Sequence, residues 1–277
     1  MYLFLAVPNF CGSTLLHSLL ETCPSVVPLT DPRPEERRMK GMVEGNCCAL
    51  GGYNNLNGPH SMEANMEPVY ADPTNYDWPL IKKTWDANWA KTNPDAPIRM
   101  QKTPADVFRI QMMLPHFDPL KWIVMVRNPY AHVESIMRKA TFQMDPMRQI
   151  DQVCFHAIRS IGIQIGNAKL LGDNAYVMTY EDFVARPEYH REQLGRFLPG
   201  LEAMNFDAEL WLKGAKVEAI KDDSAEKFQK LVDAVPGIVD TINEYFEPFE
   251  PLLNHWGYEM MDPSNPMMSS KLETEFS

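Results

Sequence analysis

Short apolar runs alternate along this chain with stretches in which apolar residues recur every three or four positions. Tyr2–Val7 is apolar throughout and stops at Pro8, the pattern of a strand buried on both faces. Gly12–Thr22 brings Leu15, Leu16, Leu19 and Leu20 onto one helical face. Ser25–Leu29 predicts a second short strand, and Pro104–Leu114 a helix with proline in its first turn. Lys121–Val126 is the strongest strand pattern, with a helix over Pro129–Lys139 behind it. A long helix over Met147–Leu171, a strand over Ala175–Thr179 and a proline-started helix over Pro187–Leu198 complete the series. Strands alternating with helices predict an α/β fold, three layers deep, around a central and mainly parallel sheet.

Two regions break this rhythm. Residues 44–97 are rich in Asn, Gly and Pro and carry Trp78, Trp85 and Trp89 near their end, which predicts an insertion holding one short helix. Tryptophans at helical spacing read either as packing or as a platform for a ring-shaped ligand. The last residues are polar and Met-rich. The expectation is one domain over residues 1–260, interrupted by the insertion, with a flexible tail over 261–277.

Composition narrows the partners. The chain has 277 residues, 45% hydrophobic and 23% charged, enough to bury a core without staples. A net charge of −11 disfavours nucleic acid and polyanionic partners, while leaving room for a local basic pocket. The five cysteines have no framework spacing, which points to reduced thiols and a cytoplasmic location. No Cys/His group has ligand spacing, so no metal is expected. The apolar start is too short to cross a bilayer, and no membrane span is expected.

The chemistry gathers in two segments. Leu5-Ala-Val-Pro-Asn-Phe-Cys-Gly-Ser-Thr-Leu-Leu16 reads as strand, loop and helix, with Gly12, Ser13 and Thr14 at the helix start. Free amides there favour a phosphate, although the same pattern also suits an ordinary helix start. No lysine precedes Ser13-Thr14, so the loop lacks the mark of an ATP or GTP site. The second segment is Trp122-Ile-Val-Met-Val-Arg127-Asn-Pro-Tyr-Ala-His-Val-Glu-Ser135. It puts Arg127 at a strand's carboxyl end, where α/β sheets bind ligands, and Ser135 on the next helix. An arginine fork and a hydroxyl so placed suit one phosphate.

Together these segments resemble the donor-binding motifs of sulfotransferases that use 3′-phosphoadenosine 5′-phosphosulfate (PAPS). Gln101-Lys-Thr-Pro104, Thr179-Tyr-Glu-Asp-Phe183 with Arg186-Pro187, and His255-Trp-Gly-Tyr-Glu259 resemble further family motifs, in the family's order. The motif style is nearest to tyrosylprotein, carbohydrate and bacterial members. The resemblance implies a P-loop-like fold and sulfuryl transfer from PAPS to a hydroxyl of a small molecule, sugar or peptide, without a metal. It implies that Cys11, Gly12, Ser13 and Thr14 wrap the 5′-phosphosulfate, that Arg127 and Ser135 hold the 3′-phosphate, and that Tyr180 contacts the nucleotide. Lys102 would neutralise charge on the departing oxygen. Asp31 would be the general base, with Glu35 and Glu36 as alternatives, and the insertion would build the acceptor side. Lys213 or Lys216 would cover the 3′-phosphate.

One departure stands out. Phe10 occupies the place where the family's loop carries Lys or Arg, and Asn9 reads as a one-residue expansion. Arg33, Arg37 or Arg38 would then supply the charge, or Asn9 a hydrogen bond. Two rival readings follow: a nucleotide-binding protein without turnover, and a small-molecule kinase on the same scaffold, which would need a Walker lysine.

Overall fold

The structure, a computed structural model, describes residues 1–29, 72–139, 150–212, 215–216 and 220–266. Asp31, Glu35, Glu36, Arg33, Arg37, Arg38 and Lys213 lie outside the described residues, as do most of the expected insertion and the tail from residue 267.

Five strands form one parallel sheet: β1 (Tyr2–Ala6), β2 (Val26–Pro28), β3 (Ile98–Lys102), β4 (Leu120–Val126) and β5 (Ala175–Thr179). Their order is β2-β3-β1-β4-β5, with every pairing parallel. β1 is central because it is apolar on both sides, and all five of its residues are buried. Parallel neighbours need crossovers, and these put helices on both faces.

The period-two alternation of β1 splits the core. Leu3, Leu5 and Val7 face α1 (Ser13–Leu20), whose Leu15, Leu16, Leu19 and Leu20 cover that side. Tyr2, Phe4 and Ala6 face the other layer, where α2 (Trp78–Thr92) lies. Asp77 caps α2, its carboxylate accepting the Leu80 amide at 3.0 Å. Trp85 and Trp89 are fully buried, and Trp85 meets Phe4 edge-on at 6.0 Å. The three tryptophans are therefore core, and the platform reading fails: Trp85 and Trp89 pack against Phe4 and Tyr2 of β1, and Trp78 against Tyr76 and Phe117 in the same cluster.

The stretch expected as one helix from Pro104 is broken into a 3₁₀ turn, Pro104–Phe108, and α3 (Ile110–Met113). Arg109 between them has φ −135°, outside the helical region. Its guanidinium turns back onto Asp106 at 2.6 Å, both side chains being completely buried, and a further N–H donates to the Tyr76 hydroxyl at 3.1 Å. A buried arginine needs such partners, and satisfying them outweighs helical continuity here.

A third cluster joins α4 (Pro129–Lys139) and α5 (Ile150–Leu171) to the C-terminal helices. Between them come α6 (Tyr180–Ala185), α7 (Pro187–Phe197) and a two-stranded ribbon of β6 (Trp211–Leu212) and β7 (Ala215–Lys216). The chain then runs through α8 (Ser224–Ala234), α9 (Ile238–Phe246) and α10 (Glu250–His255). Met261, at the start of the expected tail, is buried, and its carbonyl accepts from Asn243 at 2.9 Å. Among the described residues no helix is long and apolar enough to cross a membrane, and no group of His, Cys, Asp or Glu could hold a metal ion.

Candidate active site

The strand order brings the motifs together. Lys102 ends β3, the loop Pro8–Gly12 leaves β1, Arg127 follows β4, and Tyr180 follows β5. These four strands are consecutive neighbours, so their carboxyl ends deliver the four motifs side by side along one edge. That edge is where ligands of such sheets bind.

The loop opens with a turn in which the Cys11 amide donates to the Pro8 carbonyl at 3.2 Å. Phe10 is its third residue, with φ +62°, where type II turns favour glycine or asparagine. The conformation costs a side chain like phenylalanine about 1–2 kcal/mol. Two contacts offset it: the ring packs on the third core cluster, and the Phe10 carbonyl accepts from Arg127 Nη1 at 2.8 Å. Phe10 thus fixes the arginine by its backbone while its half-buried ring packs against the third core cluster. Cys11 is buried with its amide committed to the turn. Gly12 has φ +87°, and a Cβ there would lie 2.5 Å from the Tyr180 ring. The Tyr180 ring and the positive φ thus both demand glycine at this place. From Ser13 the chain turns helical, and among the described residues no side chain caps the start of α1. Free amides at a helix start favour an anion.

Arg127 is 6% exposed and held on several sides. Nη1 also donates to Ser135 Oγ at 3.0 Å, and Nη2 donates to Ser224 Oγ at 2.6 Å. The guanidinium lies over the Tyr180 ring, 4.8 Å from its centroid. Its Nε is buried without a hydrogen-bond partner among the described residues. Tyr180 is therefore stacked between Gly12 and Arg127, and burial pushes its phenol up to about 12, so it stays neutral.

The Tyr-Glu-Asp and Gly-Tyr segments meet at Glu181. Its carboxylate accepts the Asn128 amide at 2.9 Å and the Tyr258 hydroxyl at 2.7 Å. Glu181 is 6% exposed, and burial raises its pKa. One side chain so ties the residue after Arg127 to the chain's last core segment. The sequence marked both motifs without showing that they touch. Ser224 carried no signal at all: it lies 97 positions from Arg127.

Lys102 is 2% exposed and pairs in register with Leu5 of β1, so it emerges on the α1 face. Its charge, after burial, helps hold the His17 pKa at about 3, which puts that imidazole close by and neutral. His132, on the same helix as Ser135, is completely buried, and burial lowers its pKa well below the ordinary value. It packs edge-on against His156 at 5.4 Å, away from any role as a base. Lys216 is exposed and ion-paired with Glu209 at 3.3 Å.

In fold the chain is similar to the sulfotransferase domain of the Synechococcus olefin synthase, at 20% identity and TM-score 0.50, covering 90% of this chain and 94% of that one. It is similar to a sulfotransferase from Alicyclobacillus acidocaldarius at 11% identity and TM-score 0.51, over 91% and 93% of the two chains. A Mycobacterium tuberculosis sulfotransferase superposes at 15% identity and TM-score 0.51, over 90% of this chain and 76% of that one. At such identities the likeness is one of fold, the P-loop-like α/β/α fold. Among curated proteins, none matches the chain. A sequence profile described as the sulfotransferase family matches residues 11–204, from the loop cysteine through α7, and on that match the chain belongs to the sulfotransferase family.

Proposed function

We propose that the protein transfers a sulfuryl group from PAPS to a hydroxyl acceptor. The observation that carries this reading is the Arg127 clamp. A guanidinium oriented by Ser135, Ser224, the Phe10 carbonyl and the Tyr180 ring lies on the same sheet edge as the uncapped start of α1. The residues fit such a donor: the buried Nε of Arg127 is a further donor for a phosphate, and the first-turn amides of α1 suit a second anion. A nucleotide with phosphate groups at both ends of its ribose would use both.

In this reading Arg127 and Ser135 take the 3′-phosphate, and Gly12, Ser13 and Thr14 take the 5′ end, with Cys11 setting the loop. Tyr180 serves as the plate under Arg127. The donor supplies an activated sulfuryl group. The acceptor oxygen attacks sulfur as the bond from sulfur to the bridging oxygen breaks, and adenosine 3′,5′-bisphosphate departs. Lys102 stabilises the charge that develops on the bridging oxygen, and a carboxylate, Asp31 in our proposal, takes the hydroxyl proton. The acceptor is a small molecule, a sugar or a peptide, bound on the side built by residues 44–97, within a single domain over residues 1–260. The reaction needs no metal.

Calorimetry tests the donor. Adenosine 3′,5′-bisphosphate should bind at least tenfold more tightly than ATP or adenosine 5′-monophosphate, and no preference would sink the proposal. Transfer from labelled PAPS across an acceptor panel should fall by about two orders of magnitude in Lys102→Ala. A second reading draws on Phe10, a half-buried apolar ring where the family carries a cation. It predicts binding of the bisphosphate with no transfer to any acceptor.

A further inference from the structure

Each serine that accepts a hydrogen bond from Arg127 donates its own hydroxyl hydrogen bond to a carboxylate. Ser135 Oγ donates to Glu134 Oε2 at 3.2 Å, and Ser224 Oγ donates to Asp222 Oδ1. The two carboxylates are otherwise unlike. Glu134 is buried and ion-paired with Arg138 at 2.5 Å, so it is fixed in place. Asp222 is exposed, and no cation is ion-paired with it among the described residues. Its Oδ1 also accepts the Ser224 amide at 2.9 Å, at the first residue of α8. That one oxygen therefore receives a backbone N–H at a helix start and a hydroxyl, which itself accepts from the arginine. These donors are the set that a phosphate oxygen seeks. The buried Nε of Arg127, which has no hydrogen-bond partner among the described residues, belongs to the same guanidinium, whose Nη2 points at this helix start.

We propose that the Asp222 carboxylate is an internal stand-in for a phosphate oxygen at the start of α8, and that the 3′-phosphate of the nucleotide displaces it. The inference rests on the PAPS reading of the Arg127 site. An incoming dianion and Asp222 repel each other, so they cannot share the seat without cost. Asp222 can leave cheaply, because its carboxylate is already exposed to water, whereas Ser224 is 2% exposed and stays in the wall. Exchange gives the phosphate the Ser224 hydroxyl and amide and turns Asp222 outward. Asp222 then lowers the affinity of the site for 3′-phosphorylated nucleotides, and the free protein keeps its arginine positioned by an anion of its own.

Asp222→Asn tests this in the full chain. Asparagine keeps an oxygen for the Ser224 amide and hydroxyl, so the turn survives while the charge goes. Calorimetry at low salt should show adenosine 3′,5′-bisphosphate binding about five- to tenfold more tightly to the variant, with adenosine 5′-monophosphate changed less than twofold. Glu226→Gln, two positions into the same helix, should leave both ligands unchanged. If the wild type binds the bisphosphate and the variant binds it equally or more weakly, this inference falls and the donor reading stands. A matching gain in Glu226→Gln would reduce the effect to overall charge and also overturn it. If neither wild type nor Asp222→Asn binds the bisphosphate, the inference and the donor reading fall together.

Discussion

Arg127 depends on groups that surround it more than on any one partner. Lysine in its place would keep the charge but lose the fork and the stack on Tyr180. Arg127→Lys is expected to weaken adenosine 3′,5′-bisphosphate binding about tenfold or more, with adenosine 5′-monophosphate barely affected, by calorimetry. Gly12 is a second point where one atom decides. Alanine there would adopt a left-handed backbone and meet the Tyr180 ring at 2.5 Å. Gly12→Ala should cost roughly 2 kcal/mol of stability in urea unfolding and displace the plate beneath Arg127. A variant with unchanged midpoint and nucleotide affinity would contradict that account.

At the scale of elements, the site is assembled from strand ends and locked by Glu181. The carboxylate joins the end of β4, the first turn of α6 and the segment after α10, three pieces far apart in sequence. Tyr258→Phe keeps the shape and removes the hydroxyl, leaving a buried carboxylate oxygen without its donor. That loss should cost about 1–3 kcal/mol, read from the shift in urea midpoint, and a shift near zero would mean that the link carries no energy. The motif order in the sequence made most of this edge legible, because parallel strands ending in chemistry-bearing residues have one place to put them. The break at Arg109 was not legible. Its cause is a buried ion pair with Asp106, and the local pattern of apolar residues contains no sign of burial at a charged position.

Across the molecule as a whole, four buried histidines among the described residues, His17, His132, His156 and His190, have pKa values below the ordinary 6.5. Burial is the main cause in each, and in three the fall is large: His17 to about 3, His156 to about 4, and His132 well below. In the unfolded chain these groups take up protons as pH drops through 6.5, whereas the folded chain leaves them neutral. The unfolded state then binds more protons, so stability falls as pH falls, by up to about 1.4 kcal/mol per pH unit for each histidine. Urea midpoints should therefore drop clearly between about pH 7 and about pH 5, and a flat profile over that window would exclude the effect.

The sequence by itself determined the α/β alternation, the loop at Pro8–Thr14, the Arg127–Ser135 pair and the family resemblance. These are local facts, set by the spacing of apolar residues and by short motifs that need no distant partner to be read. Only the tertiary structure decided what those residues touch. It put Tyr180 between Gly12 and Arg127, packed Phe10 against the third core cluster, and brought Ser224 and Asp222 to the arginine from 97 and 95 positions away. It also made Trp78, Trp85 and Trp89 core residues. The physical reason is the same in each case: long-range contacts arise when sheet order and helix packing bring surfaces together, and no residue pattern within one segment encodes its neighbour across the fold.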